Sequence, residues 1–271
     1  MELGAALVAE LLALGLVAGF LAGLLGIGGG MLMVPVLTLL LSQRGVEPGL
    51  AVKMAIATSM ATILFTSLSS VRAHHRLGTV RWALVRSLAP GILLGGLASG
   101  AGAFAVLKGR ALALFFALFI GWMALQMLRG RQPKPGRKLP GRAGQTGAGA
   151  AIGFVSGLLG AGGAFLSVPF MIWCNVPPRQ AVGTSAALGF PIAAAATVGY
   201  VISGWSLPAP IPGAFGYLFL PALAIIAAAS VSMAPLGARA AQRIDVAWLR
   251  RLFALLLLGL AATMLSRAWS G

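Results

Sequence analysis

Glycine-rich backbone, hydroxyls and isolated cations are the groups in this sequence that could do chemistry, and each occurs twice. The stretch GFLAGLLGIGGGMLMVPVL (19–37) recurs as GFVSGLLGAGGAFLSVPFM (153–171) at a constant offset of 134. Within it Gly26, Gly28, Gly29 and Gly30 align with Gly160, Gly162, Gly163 and Ala164. A second pair, AIATS (55–59) and AVGTS (181–185), sets Thr58 and Ser59 against Thr184 and Ser185 at an offset of 126. Lys53 and Arg179 align at that same offset, each five residues before its threonine. A glycine run that breaks a helix frees backbone N–H groups, and the dipole at that helix end favours an anion. Nearby hydroxyls add neutral donors. A cation about 7–8 Å away along the helix adds long-range attraction. The chemistry these types suit is reversible capture of a small anion.

Each group also has a structural alternative. Glycines let membrane helices approach closely, which is the reading for Gly15, Gly19 and Gly23. Hydroxyls within a helix can bond the carbonyl four residues back. Lys53 and Arg179 can snorkel to the interface. Glu10, one of four acids, lies 16 residues before Gly26. That is about 24 Å of helix, beyond the roughly 15 Å half-thickness of a bilayer, so Glu10 belongs at an interface. His74 and His75 fall in the basic stretch VRAHHRLGTVR (71–81) and read as solvated, with no acid or cysteine to complete a metal site. Cys174, the one cysteine, reads as a small apolar filler. GIGGGM (26–31) lacks the last glycine of a dinucleotide fingerprint, so no cofactor is expected. A hydrolase built on Ser59 or Ser185 would need a base within hydrogen-bond reach, and the basic loop holds the two histidines away.

The elements that must position these groups are membrane helices. Of 271 residues 59% are hydrophobic and 9% charged, against about 25% charged in soluble domains. An all-α, multi-pass membrane protein follows. The formal charge of +16 lies mostly between apolar segments, as the positive-inside rule predicts, and not on a nucleic-acid-binding face. MELGAALVAELLALGLVAGF (1–20) has no positive leader region and reads as a retained first helix. Apolar segments run over about 3–25, 31–41, 51–71, 82–107 and 110–128, then about 145–160, 164–174, 181–202, 214–237 and 247–266. The segments 31–41 and 164–174 are too short to cross alone. The chain therefore divides into a first repeat (1–128), a basic, proline-containing cytoplasmic linker (129–144) and a second repeat (145–271), each repeat holding one broken or re-entrant element and three long helices.

Charge placement orients the repeats. If each broken element counts as a crossing, Lys and Arg divide 11 to 9. If each enters and returns, the repeats are inverted, both termini lie outside, and the division is 15 to 5. The second arrangement obeys the positive-inside rule, and inverted repeats around broken helices are a construction of secondary transporters.

The doubled GLLGIGGG…VP and GLLGAGGA…VP, each followed by A-[IV]-x-T-S, with the basic HHRLGTVRW stretch (74–82), resemble the sulfite exporter (TauE/SafE-type) family over nearly the whole chain. The resemblance implies a permease of the bacterial inner membrane for sulfite, sulfonates or related small anions. The repeated residues themselves place the expected site at the breaks, formed by Gly26, Gly28, Gly29, Gly30, Gly160, Gly162 and Gly163 with Thr58, Ser59, Thr184 and Ser185. Lys53 and Arg179 are expected at its mouths, as gates or for anion attraction. The lipid bilayer and the anion are the expected partners. With no ATP-binding motif, a proton or sodium gradient or a partner ATPase must drive any active transport. A passive anion channel is the competing reading. Ala57 opposite Gly183 and Ala164 opposite Gly30 show that the halves have diverged.

Overall fold

A computed structural model describes residues 4–25, 29–129, 136–207, 211–241 and 246–270. Gly26 and Gly28 lie outside the described residues, as do residues 130–135 of the basic linker. The first half comprises α1 (Ala5–Leu25), α2 (Gly30–Gln43), α3 (Pro48–Arg76), α4 (Trp82–Val106) and α5 (Gly109–Arg129). The second comprises α6 (Arg142–Leu159), α7 (Ala164–Trp173), α8 (Pro178–Gly204), α9 (Leu220–Ala240) and α10 (Val246–Ser270). Among the described residues the only sheet is a short hairpin, β1 (Ala214–Phe215) with β2 (Leu218–Phe219), just before α9. The chain is thus all-α. Among the described residues six helices are long and apolar enough to cross a membrane: α1, α3, α4, α5, α8 and α9.

Local chemistry explains the boundaries. Pro48 opens α3, and the Glu47 carboxylate accepts from Gly49 N–H at 2.9 Å and Leu50 N–H at 2.7 Å, a capped start with a pre-set proline. α6 stops at Gly160, whose φ of 62° is left-handed. Gly29 and Gly163, at φ of 73° and 75°, precede α2 and α7. These conformations come without steric cost only to glycine, so the repeated glycines do break the helices. α6 starts at Arg142, so 142–144 of the expected linker are helical. Residues 136 and 137 dock on the end of α7, where their N–H groups donate to the Trp173 carbonyl and the Arg137 guanidinium lies 4.6 Å from the Trp173 ring centre. α4 is a single helix with a π-helical turn at Ala98–Ala103, packed on the Ala196–Gly199 turn of α8.

The halves interlock reciprocally. α1 packs along α9, α6 packs along α4, α5 lies on α10, and α3 and α8 cross in the centre. Glycines make the long contacts possible. A β-carbon on Gly19 would sit 2.5 Å from the Ser230 backbone, and one on Gly23, Gly91, Gly95 or Gly153 would run into a backbone carbonyl of the facing helix. The packing reading of Gly15, Gly19 and Gly23 therefore holds. Contacts also give helix directions. The start of α8 meets the segment after α3 (Gly183 against Thr79), and its middle meets the middle of α3 (Gly189 against Ser67), so α3 and α8 run in opposite senses. α2 turns back towards the origin of α1, because Arg44 at its end pairs with Glu10 at 3.0 Å. α7 likewise returns to the segment preceding α6.

Where the backbones touch, added volume must push helices apart. Gly19→Val should destabilise the protein by about 1–3 kcal/mol. Gly147→Ala, at a helical position with open space around it, should be neutral or stabilising. Unfolding in detergent followed by circular dichroism measures both.

Candidate functional site

The two breaks meet each other directly. Gly30 lies against the Gly160 carbonyl, and a β-carbon on Gly160 would come within 3.0 Å of the Ile56 backbone and of Val34. Close packing accounts for Gly30 and Gly160. Gly29 packs against the Ala18 carbonyl. Gly162 is different. It borders a cavity of about 10 Å³ lined also by Thr66, Ser67, Ser70, Ser185 and Gly189, which gives room for about one water. Ser185 Oγ is 2.8 Å from Ser167 Oγ. The hydroxyls of Ser59, Ser70 and Ser156 are buried without a hydrogen-bond partner, an arrangement that costs free energy unless something polar visits them. A β-carbon on Gly163 would stand 3.0 Å from the Ser156 hydroxyl. The centre of the protein is therefore a nearly closed, hydroxyl-rich seam beside the second break. Of the residues expected from sequence, Gly162 and Ser185 line this cavity. Sequence reading missed Thr66, Ser67, Ser70 and Ser156, which the first half and second half do not share.

The threonines do a different job. Thr58 Oγ1 accepts from the N–H of Phe219 at 3.0 Å, and Thr184 Oγ1 accepts from the N–H of Arg81 at 3.0 Å. Phe219 and Arg81 each precede the fourth helix of the opposite half. Each half thus uses its threonine to cap a helix of the other, satisfying an N–H that helix geometry leaves free. Neither threonine bonds the carbonyl four residues back, as Thr38, Thr62 and Thr66 do.

Lys53 and Arg179 occupy unlike surroundings. Lys53 lines an open cavity of about 610 Å³ together with Thr38, Ser42, Glu47, Lys108, Arg110 and Tyr217, three cations to one carboxylate. Its ammonium lies 5.4 Å from the centres of both the Phe104 and Tyr217 rings and 3.4 Å from the Ala105 carbonyl. Such a cation is held by ring faces and a carbonyl dipole, not by an acid. Burial pushes the Tyr217 phenol up, so it stays a neutral hydroxyl in this vestibule. Arg179 is exposed at the start of α8. Arginines crowd the opposite end of α3: Arg72, Arg76 and Arg239 line one groove, and Arg81, Arg86 and Arg142 another.

One sequence expectation is overturned. His75 is exposed, but His74 is 1% exposed. Its Nε2 lies 3.2 Å from the Gly23 carbonyl and its Nδ1 3.2 Å from Thr79 Oγ1. The basic residues around it face outward from the helix end while this one ring turns in towards α1. Glu10 is at a surface, paired with Arg44.

Known proteins similar to this chain cover nearly its whole length. The family model described as sulfite exporter TauE/SafE matches residues 11–264. A probable membrane transporter protein of Haemophilus influenzae is 35% identical over 93% of this chain and 96% of its own length. One of Bacillus subtilis is 30% identical over 76% of this chain and 84% of its own. A third, from Methanocaldococcus jannaschii, is 27% identical over 89% and 88%. No solved structure matches the chain.

The crossed caps are testable. Thr184→Val removes the acceptor of the part-buried Arg81 N–H and should cost about 0.5–1.5 kcal/mol, with faster amide exchange at residues 81–84. Thr184→Ser should recover most of the loss.

Proposed function

The chain belongs to the sulfite exporter TauE/SafE family and is a multi-pass membrane transporter, and from that premise we propose that it is a secondary transporter moving sulfite, a sulfonate or a related small oxyanion across the bacterial inner membrane. Two inverted halves alternate access to the seam between the breaks. The observation that carries this reading is the central hydroxyl cavity beside Gly162, lined by Thr66, Ser67, Ser185 and the unpartnered Ser70, with a cationic vestibule at the α3 start. The opposite running of α3 and α8, the returning α2 and α7, and the crossed threonine caps support the inverted arrangement. A site of hydroxyls and helix ends holds an anion by dipoles, each helix end worth at most about half a unit charge. No fixed counter-ion grips the substrate, which favours release as well as binding. Thr58 and Thr184, already bonded to the opposing half, belong to the moving joint, while Ser59, Ser185 and Gly162 face the substrate. A serine hydrolase finds less support: both ring nitrogens of His74 are engaged with Gly23 and Thr79, and Nδ1 of His75 accepts from the Trp82 indole at 3.2 Å. A passive channel would need a continuous pore, and the cavity at the seam is nearly shut.

Uptake of sulfite, thiosulfate, sulfoacetate, taurine and simple carboxylates into proteoliposomes tests the substrate class. Saturable flux with counter-transport is expected for a sulfur oxyanion. Linear, non-saturating flux would identify a channel instead. Ser185→Ala should raise the half-saturation concentration, and Gly29→Val should abolish transport. Lys53→Gln should slow flux more at low salt than at high, since ions screen distant charge, and more than Arg179→Gln, which removes a charge outside the vestibule. Single-cysteine labelling on a Cys174→Ser background tests orientation. Residues 1–3 and 271 should label from outside intact cells and the linker near Lys134 should not.

A further inference from the structure

His74 has a counterpart in the other half. An offset of 126 takes His74 to Tyr200, and an offset of 134 takes Gly23 to Gly157. The Tyr200 hydroxyl donates to the Gly157 carbonyl, as His74 Nε2 faces the Gly23 carbonyl. Both glycines lie in the last turn of the helix that runs into a break, where carbonyls lack helical partners. Each half therefore sets a buried ring on the same carbonyl, just ahead of its break. A phenol suffices for that task. The imidazole of the first half carries a second nitrogen, and that nitrogen also has a partner. Thr79 Oγ1 lies 3.2 Å from Nδ1 while donating to the His74 carbonyl at 3.0 Å. The residue equivalent to Thr79 is Trp205, so only the half with the histidine has the hydroxyl.

We propose that His74 is the proton-binding residue of the transport cycle. This rests on the transporter reading above. With Nε2–H fixed on the Gly23 carbonyl, Nδ1 is the site that changes. As a lone pair it shares the Thr79 hydroxyl proton. When it takes a proton from water, the new Nδ1–H donates to Thr79 Oγ1, whose own proton remains on the His74 carbonyl. Both charge states are hydrogen-bonded without a rotamer change. The charge rises from zero to plus one at the C-terminal end of α1, where the helix dipole favours a cation, and loss of that proton to water restores the first state. The charged or titratable groups on the surrounding elements are Arg72, His75 and Arg76 on α3, Arg81 ahead of α4, Arg179 on α8 and Arg239 on α9. All are basic or histidine. Glu10 on α1 is 13 residues from Gly23, about 20 Å along the helix, so no carboxylate among these holds the proton in place. The event reaches the joint between halves directly: Thr79 packs on Gly183, next to the Thr184 hydroxyl that caps Arg81.

Two measurements decide it. The chain has two histidines, so histidine-selective nitrogen-15 spectra in nanodiscs, with His75→Gln for assignment, read His74 alone. The expected result is a change of protonation at Nδ1 across the pH range in which the protein transports, with Nε2–H retained throughout. In proteoliposomes, with empty vesicles subtracted, a gradient of one pH unit should drive about tenfold sulfite accumulation if one proton is coupled. His74→Tyr, which copies the second half, should bring that accumulation to about onefold, with the ratio of gradient-driven uptake to counterflow falling in step. A His74 that stays in one protonation state across the range, or a His74→Tyr protein that still accumulates sulfite on a pH gradient, overturns the proposal. A wild-type protein that moves no sulfite overturns the sulfite reading, and the spectra still decide the proton site.

Discussion

Every distinctive feature of this structure answers one constraint: a helix interrupted inside a membrane leaves backbone N–H and C=O groups that lipid cannot satisfy. The protein closes them with its own groups, and mostly across the chain. The Gly23 and Gly157 carbonyls, each just ahead of a break, receive a ring donor from α3 or α8. The N–H groups of Arg81 and Phe219 receive hydroxyls from the opposite half. An unmatched group of this kind would cost several kcal/mol in hydrocarbon, so the breaks can exist only in the folded pair of halves. The two breaks in turn rest on one another, Gly30 against Gly160, which makes the centre of the protein a contact between two irregular segments.

The same constraint separates what is rigid from what can change. The faces between α1 and α9 and between α4 and α6 are glycine-to-backbone contacts along several turns, close enough that sliding would bring Cα and carbonyl atoms into collision. The seam between α3 and α8 is of another kind. It is lined by small hydroxyl side chains, it holds a cavity, and the Ser70 hydroxyl in that cavity has no partner. Hydrogen bonds between hydroxyls exchange partners at little cost compared with repacking a close helix interface. The softest surface between the halves is therefore this seam, the one to which the proposed function assigns the anion.

The break positions, the two short helices and the ten segments were legible because glycine and proline act locally, on the turn in which they sit. Partners were not, because Thr58 and Phe219 stand 161 residues apart and Thr184 and Arg81 stand 103 apart, and only the folded chain joins them. Sequence symmetry flagged both threonines correctly as a pair and could not say that their oxygens were already taken. Lys53 and Arg179 show the reverse failure. They align perfectly in sequence, yet one is enclosed by Phe104, Tyr217 and the Ala105 carbonyl, while the other is exposed. The ring that encloses Lys53 comes from the end of α4 and from the loop before α9, segments whose sequences the two halves do not share.

His74 is the instructive miss. Its neighbours are basic, and a run of charges argues for solvent. A periodic reading of α3 would have helped more than composition. Thr58, Thr62, Thr66 and Ser70 lie at successive four-residue steps, and His74 is the next step on the same buried face. The pairing of His74 with Tyr200 and of Gly23 with Gly157 was also in the offsets already found. A duplicated chain records its constraints twice. Where the two copies keep the contact but change the chemistry, as phenol to imidazole, the shared part reports the backbone group that must be satisfied. The difference reports what one half does that the other does not. By that logic the asymmetry of these halves lies less in the break glycines, which differ only at Gly30 against Ala164, than in the one buried ring that can carry a charge.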